Sequence, residues 1–233
     1  MKNSAGLKQR LNNRLADLFF APQCCICGGR TADSIFPLCK ECVKDFQVSL
    51  IKECPRCGCT RNQCSCEKST NTVFLFYYHT HDEKRAILNL KREPDKRIAR
   101  FFGKLLAEKV KREKSVGFDC VTYVPRKPKS IRIYGGDQSR LIASGVAEGL
   151  EIPMLQLLKR KSSRKTDQKL LDAAGRRKNV KNTFYAVAGA AAYRRVLLID
   201  DVTTTGSTID ECASLLREAG VKQVVKAVLS RTP

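Results

Sequence analysis

Residues 196–208 read Val-Leu-Leu-Ile-Asp-Asp-Val-Thr-Thr-Thr-Gly-Ser-Thr, and this stretch decides the fold. Its four apolar residues predict a buried strand, and Asp200 and Asp201 follow at the carboxyl end of that strand. A turn rich in Gly and hydroxyl residues comes next and leads into a helix. Open α/β sheets bind their ligands at the carboxyl ends of the strands. The stretch therefore predicts a ligand site built on a strand, a turn and a helix.

The chemistry of the turn indicates a phosphate ligand. A turn of this kind at a helix N-terminus offers free backbone N–H groups and the positive end of the helix dipole. The two carboxylates beside it suit a ribose diol or a metal-bound sugar phosphate, so a ribose 5-phosphate is the expected ligand. The competing interpretation is an ordinary strand–turn–helix unit whose helix is capped by Ser207 or Thr208. A single capping residue would be enough for that.

These residues resemble the signature of the type I phosphoribosyltransferases, in which a hydrophobic strand, two acids and Thr-Thr-Gly-x-Thr follow one another. The resemblance implies that the turn holds the 5-phosphate of phosphoribosyl pyrophosphate, which binds with Mg²⁺. It also implies that the acid pair contacts the ribose hydroxyls at the catalytic centre. The residues implied for the phosphate are Thr203, Thr204, Thr205, Gly206, Ser207 and Thr208, and those implied for the sugar are Asp200 and Asp201.

Composition sets the size and the charge of the molecule. The chain has 233 residues, of which 42% are hydrophobic, and this is enough for one core and a small additional module. The formal net charge of +21 favours nucleic acids, phosphorylated small molecules or anionic surfaces as ligands, although a solvated basic surface has the same composition. No apolar run reaches the roughly 18–20 residues of a membrane span, and no signal-peptide pattern is present. A cytoplasmic protein is expected.

Ten of the twelve cysteines lie between residues 24 and 66. Two Cys-x2-Cys turns can complete one tetrahedral zinc site, so the spacing predicts one or two structural zinc ions. A secreted disulfide cluster is the competing interpretation, and the absence of a signal-peptide pattern speaks against it. The simplest pairing uses Cys24, Cys27, Cys39 and Cys42 for one site and Cys54, Cys57, Cys64 and Cys66 for the other. An interleaved pairing, or Cys59 in the second site, stays open.

Strands and helices alternate along the rest of the chain, which predicts an α/β fold with a doubly wound parallel sheet. The expected domains are a zinc-ribbon module with a short N-terminal helix over 1–70 and a phosphoribosyltransferase-like domain over 71–233. A polar, basic segment lies between Arg160 and Phe184, and it predicts a flexible cover over the site. The predicted strands are 73–78, 120–124, 196–199 and 224–229, and the predicted helices are 82–90, 98–110, one that follows a loop over 135–138, and 208–219.

In this order the segments resemble the ComF family over about residues 18–233. The matching motifs are Leu18-Phe19-Phe20, Leu88-x2-Lys91, Val124-Pro125, Gln138, Thr166-x-Gln168 and Arg176-x2-Asn179. The resemblance implies a zinc ribbon before a phosphoribosyltransferase fold, a role in the uptake of transforming DNA, and single-stranded DNA and other competence proteins as partners. It also makes Lys91 a candidate for binding substrate. Arg126 and Lys127 follow the second sheet strand and are candidates for the diphosphate.

One segment departs from the family pattern. The family has Arg-Gly-Phe-Asn-Gln where this chain has Gly135-Gly136-Asp137-Gln138 after Tyr134. The lost Arg and the change of Asn to Asp predict weaker anion contacts at this loop unless Arg132 supplies the charge.

Two functions follow from these features. The first is a phosphoribosyltransferase, with Mg²⁺ and basic side chains stabilising the leaving diphosphate. The second is a zinc-stabilised protein that binds single-stranded DNA, or an adaptor, without catalysis. No residue stands out as a general base, so the sequence leaves open whether the chain is an enzyme.

Overall fold

A computed structural model describes residues 22–31, 36–49, 72–77, 81–92, 96–114, 116–161 and 183–232. We number the helices and strands of these segments in chain order. They are α1 (Lys40–Ser49), β1 (Thr72–Tyr77), α2 (His81–Arg92), α3 (Lys96–Glu113), β2 (Cys120–Tyr123), α4 (Pro128–Tyr134), α5 (Gln138–Leu150), β3 (Leu158–Arg160), β4 (Phe184–Ala186), β5 (Arg195–Thr203), α6 (Ser207–Glu218) and β6 (Gln223–Arg231), with a short 3-10 helix at Ala188–Ala192 before β5.

The central sheet has four strands in the order β1-β6-β5-β2, and all neighbouring strands are parallel. Beyond β2 the chain continues the sheet edge with a single parallel bridge between Val121 and Met154. Strands β3 and β4 form a separate antiparallel pair. The predicted α/β fold with a parallel sheet is therefore confirmed. The strands are buried because both faces of the sheet are covered, as a parallel sheet requires.

Helices α3 and α5 cover one face of the sheet and pack closely on each other. A Cβ built on Gly103 would lie 2.6 Å from the carbonyl oxygen of Ile142, and one on Gly145 would lie 2.9 Å from Arg100 Cα. The absence of side chains at these two positions lets the backbones approach. This contact fixes the direction of α5, whose first turn reaches the acid pair on β5.

Helix α6 covers the opposite face together with β3 and β4. Its buried residues are Ile209, Cys212, Ala213 and Leu216, which repeat at helical spacing and pack against Val196, Leu198 and Val228 of the sheet. The apolar face predicted for this helix is thus the face that packs into the core. The helix begins directly after the turn at residues 204–206, so the core holds that turn at the sheet's carboxyl edge.

The cysteine-containing segment packs on α2 and α3. Asn89 donates a hydrogen bond to the carbonyl oxygen of Cys25 at 2.7 Å, and the rings of Phe36 and Phe101 meet edge to face at 4.9 Å. Cys25 is 4% exposed and belongs to the same buried cluster as the α3 side chains. Because residues 50–71 lie outside the described part of the chain, the division into modules at residue 70 stays a prediction.

Most of the predicted helices and strands are present, but some of their bounds differ and a few elements were not predicted. The acid pair does not follow its strand but lies inside it, because β5 runs on to Thr203. Gln138 is the first residue of α5 rather than part of a loop. Helix α4 and the pair β3–β4 were not predicted, since a seven-residue helix and two three-residue strands carry no readable periodicity. The expected N-terminal helix and most of the expected cover segment lie outside the described residues.

Candidate sugar-phosphate site and cysteine metal centre

Asp200 and Asp201 are held by short hydrogen bonds near the carboxyl end of β5. Asp200 Oδ1 accepts from Ser139 Oγ at 2.8 Å and from the backbone N–H of Asp201 at 2.9 Å. Asp201 Oδ1 accepts from the backbone N–H of Val202 at 2.8 Å. Each carboxylate therefore keeps a fixed orientation.

The loop after β2 brings a guanidinium to the acid pair. Arg126 Nη2 lies 2.6 Å from Asp201 Oδ2, and the two side chains are only 20% and 11% exposed. In a partly buried pair the attraction between the charges is weakly screened. The predicted anion-binding residue Arg126 thus lies against a predicted sugar-binding residue from a strand 75 residues away.

The pKa of Asp200 is raised. Desolvation disfavours the ionised carboxylate, and the charge of Asp201 adds to the shift, which takes the pKa of Asp200 to about 8. The hydrogen bond from Ser139 acts in the opposite direction and is the smaller effect. A cation placed between the two acids would reverse this shift, because it favours the ionised form.

Asp137 connects this loop to helix α5, and sequence reasoning missed that role. As the N-cap residue, Asp137 accepts from the backbone N–H of Arg140 with Oδ1 at 3.2 Å. Its Oδ2 accepts from the backbone N–H of Arg126, also at 3.2 Å. Desolvation raises the pKa of Asp137. An Asp immediately before a helical pattern is the sequence signal for a cap, whereas the second contact has no local signal.

The turn between β5 and α6 forms the expected concave loop. Gly206 has φ 82°, a left-handed conformation that favours glycine, and it is the N-cap residue of α6. Ser207 and Thr208 therefore lie inside the helix, and the prediction that one of them caps it is wrong. The hydroxyls of Thr205 and Ser207 lie 2.7 Å apart.

A cavity of about 220 Å³ lies against this turn. Thr203, Thr204, Thr205 and Gly206 line one side of it. Lys226 and Arg231 of β6 line it as well, and sequence reasoning did not select them. Lys226 Nζ lies 2.5 Å from Asp210 Oδ1 in the first turn of α6. We name this cavity the loop pocket; its hydroxyls, backbone and two cations are the groups that bind a phosphate.

The remaining predicted substrate residues are placed differently. Lys127 is exposed and is the N-cap residue of α4. Lys91 lies in α2, and its side chain is outside the described part of the structure. Of the predicted set, the structure brings Arg126 to the acid pair. Residues 203–206 line the loop pocket, whose lining does not include the acids, Arg126, Ser207 or Thr208.

Four cysteines from two separate segments form a second cluster. The Sγ atoms of Cys24, Cys27, Cys39 and Cys42 all lie within 4.8 Å of one another, and those of Cys27 and Cys39 are 3.7 Å apart. Zn–S bonds of about 2.3 Å in a tetrahedron place sulfur atoms about 3.8 Å apart. Gly28 turns the first Cys-x2-Cys segment with φ 77°. This cluster can hold a metal ion; Cys54, Cys57, Cys64 and Cys66 lie outside the described residues.

Comparison with known proteins gives one domain match and two curated relatives. Residues 137–233 match the phosphoribosyl transferase domain. Competence protein F of Haemophilus influenzae is 38% identical over 92 residues, which are 39% of this chain and 40% of that protein. Competence protein ComFC of Streptococcus pneumoniae is 26% identical over 198 residues, which are 80% of this chain and 84% of that protein. The chain is similar to both of these competence proteins. Its carboxyl-terminal part is a phosphoribosyltransferase domain.

Solved structures with related folds were also found. Glutamine phosphoribosylpyrophosphate amidotransferase from B. subtilis is 30% identical with a TM-score of 0.40, over 56% of this chain and 25% of that one. A phosphoribosyltransferase from Corynebacterium diphtheriae is 21% identical with a TM-score of 0.37, over 64% of this chain and 68% of that one. The strand order and the domain match assign the fold of this protein. No helix within the described segments has the length and apolarity to cross a membrane.

Proposed function

We propose that this protein is a member of the ComF family, that it binds phosphoribosyl pyrophosphate, or a related ribose 5-phosphate, together with Mg²⁺, and that it acts as a phosphoribosyltransferase. One observation carries the proposal. An acid pair in β5 is followed directly by a hydroxyl-rich turn that lines a phosphate-sized pocket, and both lie in the matched domain. The turn and the acids are then in place for the two ends of one ribose 5-phosphate.

Each group has a distinct role in this proposal. The 5-phosphate is held by the turn, and the ribose hydroxyls are held by Asp200 and Asp201. Arg126 contacts the diphosphate, for which it must leave Asp201, and Lys127 and Lys91 add positive charge. The residues assigned to the 5-phosphate are Thr203, Thr204, Thr205, Gly206, Ser207 and Thr208.

The acid pair fits a magnesium ion. Mg²⁺ in nucleotide and phosphate sites is bound by one or two carboxylates and by substrate phosphates. Asp200 and Asp201 are close enough for the charge of Asp201 to raise the pKa of Asp200. When bound, Mg²⁺ neutralises the charge that develops on a leaving diphosphate. The bond from ribose C1 to the diphosphate oxygen breaks, and its electron pair leaves with the diphosphate. A nucleophile bonds to C1 and releases its proton to solvent.

The family suggests where this activity is used. The relatives are named competence proteins, so we propose that this protein acts in the cytoplasm in DNA uptake for natural transformation. Single-stranded DNA and other competence proteins are its proposed partners. The cysteine cluster is proposed to hold structural zinc, with a second zinc ion bound by the later cysteines.

A second candidate function rests on charge. With a formal net charge of +21 the protein attracts nucleic acid regardless of catalysis. In that case it is a zinc-stabilised single-stranded DNA-binding protein or an adaptor of the competence machinery. Its affinity for DNA would then fall steeply with salt, and the acid pair would be dispensable.

Calorimetric titration with phosphoribosyl pyrophosphate and Mg²⁺ tests the proposal. The zinc-loaded wild type is compared with Asp200→Asn/Asp201→Asn, and with Glu108→Gln/Glu113→Gln as a control that removes two exposed carboxylates from α3. Charge-assisted contacts contribute about tenfold or more in affinity each, so the first variant should lose roughly a hundredfold and the control nothing. A folded wild type that does not bind the ligand contradicts the proposal and favours the second candidate.

A further inference from the structure

A cavity of about 1050 Å³ is lined by Arg126, the contact of Asp201, and is separate from the loop pocket. Its floor is the sheet edge at Tyr123, Met154 and Gln156, and one wall is the exposed side of α5. The other wall is the antiparallel pair β3–β4, where Lys159 lies directly opposite Tyr185. We name this cavity the α5 groove.

The charges of the α5 groove are unbalanced. Its acids already have partners, because Asp137 accepts from two backbone N–H groups and Glu148 pairs with Arg100 and Lys104. Within the described segments, Arg140 and Lys159 form no ion pair, although both line the groove and both are exposed. Two cations without counterions in one concave site attract an anion.

The α5 groove also offers a surface for a planar ring. Tyr185 is 42% exposed and lies beside Lys159, since residues opposite each other on antiparallel strands have Cβ atoms about 4.5–5.5 Å apart. Leu141 and Met154 add apolar lining. Pockets of about 300–1000 Å³ hold ligands of drug or nucleotide size. The groove thus combines positive charge, an aromatic face and a matching volume.

From these features we infer that the α5 groove binds a phosphorylated ligand of nucleotide size, with its phosphate at Arg140 and Lys159 and its ring on Tyr185. This site is distinct from the loop pocket, because the two cavities share no lining residue. The ligand's role as second substrate rests on the proposed function, since the groove meets the acid pair at Arg126. The binding site itself does not depend on it.

Titration of the zinc-loaded, full-length protein with adenosine 5′-monophosphate tests the inference. The titration is repeated with saturating phosphoribosyl pyrophosphate and Mg²⁺, so that the loop pocket is filled. The variants are Arg140→Gln/Lys159→Gln and, as a control with the same charge change on an exposed surface elsewhere, Arg217→Gln/Lys222→Gln. Adenosine without phosphate serves as the second probe.

We expect the wild type to bind the nucleotide with and without phosphoribosyl pyrophosphate, and to bind adenosine at least tenfold more weakly. Arg140→Gln/Lys159→Gln should lose tenfold or more in nucleotide affinity, yet keep its affinity for phosphoribosyl pyrophosphate. Tyr185→Phe should bind like the wild type, whereas Tyr185→Leu should bind more weakly because it lacks the ring.

Three results would overturn the inference. The first is that the folded wild type does not bind the nucleotide. The second is that Arg140→Gln/Lys159→Gln binds it as well as the wild type. The third is that Asp200→Asn/Asp201→Asn is the one variant that loses nucleotide binding. Binding of a thymidine oligomer, but not of the nucleotide, that depends on Arg140 and Lys159 would assign the groove to a DNA strand instead. Failure of phosphoribosyl pyrophosphate to bind, with nucleotide binding intact, would contradict only the proposed function.

Discussion

The cysteine cluster and the acid pair are both sites, but they are built in opposite ways. The cluster joins two Cys-x2-Cys segments whose spacing alone defines the geometry, and a bound metal would hold them. The acid pair depends on a buried sheet and on two side chains from elsewhere in the fold, Arg126 of the loop after β2 and Ser139 of α5. The first kind of site can be found from sequence spacing, whereas the second needs the fold. The two kinds should also respond differently to perturbation.

Removal of the metal should have the largest effect, and it should stay local. Structural zinc supplies about 10–16 kcal/mol to the folding of zinc-finger peptides, and the described cysteine segment has few buried residues of its own. We expect Cys42→Ala, or a chelator, to abolish hydrogen-exchange protection over residues 22–31 and 36–49. The amides of β5 and β6 should stay protected, because their ladder bonds join sheet strands to one another and the core on the α6 face contains none of these cysteines.

Cys25→Ala is the matched control for this experiment. Cys25 is buried beside the cluster but is not among the four clustered thiols. The variant should keep its zinc and its exchange protection. Unfolding of the central sheet on zinc removal would show that the two regions form one cooperative unit.

A packing change at the α3–α5 contact should have the next largest effect. The added methyl of Gly103→Ala would lie 2.6 Å from the backbone oxygen of Ile142. Overpacking of this kind costs about 1–3 kcal/mol, and we expect that loss in the free energy of unfolding, measured with urea. Gly117→Ala is the control, since a Cβ there meets nothing within 4 Å. If both variants were equally stable, the close approach of the two helices would not matter for the sheet region.

The sequence predicted the parts of both sites that are local. The strand, the turn and the helix around residues 196–218 follow from periodicity, and the cysteine set follows from spacing. The contact of Arg126 with Asp201 could not be predicted, because it joins residues 75 positions apart on loops whose approach depends on strand order. The ends of β5 were also misjudged. Acids usually mark the end of a strand, yet here hydrogen bonds from Ser139 and Arg126 allow them to lie inside it.

Asp137→Asn tests whether Asp137 holds the loop after β2. In Asp137→Asn the side chain keeps one oxygen acceptor and gains an NH2 group, so it can cap α5 but cannot also accept from Arg126. Loss of one hydrogen bond costs about 1 kcal/mol. We expect that decrease in stability, with faster amide exchange at Arg126 and unchanged exchange in the first turn of α5. Equal exchange at Arg126 in both proteins would show that Asp137 does not hold this loop.

The pH dependence of stability is a further difference between the two sites, and Asp200 determines its sign. The pKa of Asp200 is raised to about 8 by desolvation and by Asp201, while an unfolded Asp titrates near about 4. The folded protein therefore holds a proton that the unfolded chain releases. The stability gained from this proton is complete below about pH 4 and is lost as the pH rises through about 8. Urea unfolding at several pH values should show this loss in the wild type and a flatter profile in Asp200→Asn. Asp119 is the opposite case, because backbone N–H groups of Arg195 and Arg194 lower its pKa. Asp119→Asn should therefore change the profile only at acidic pH. If the unfolding free energy of Asp200→Asn and of the wild type had the same slope against pH, Asp200 would be ionised in the folded protein, like a solvent-exposed carboxylate.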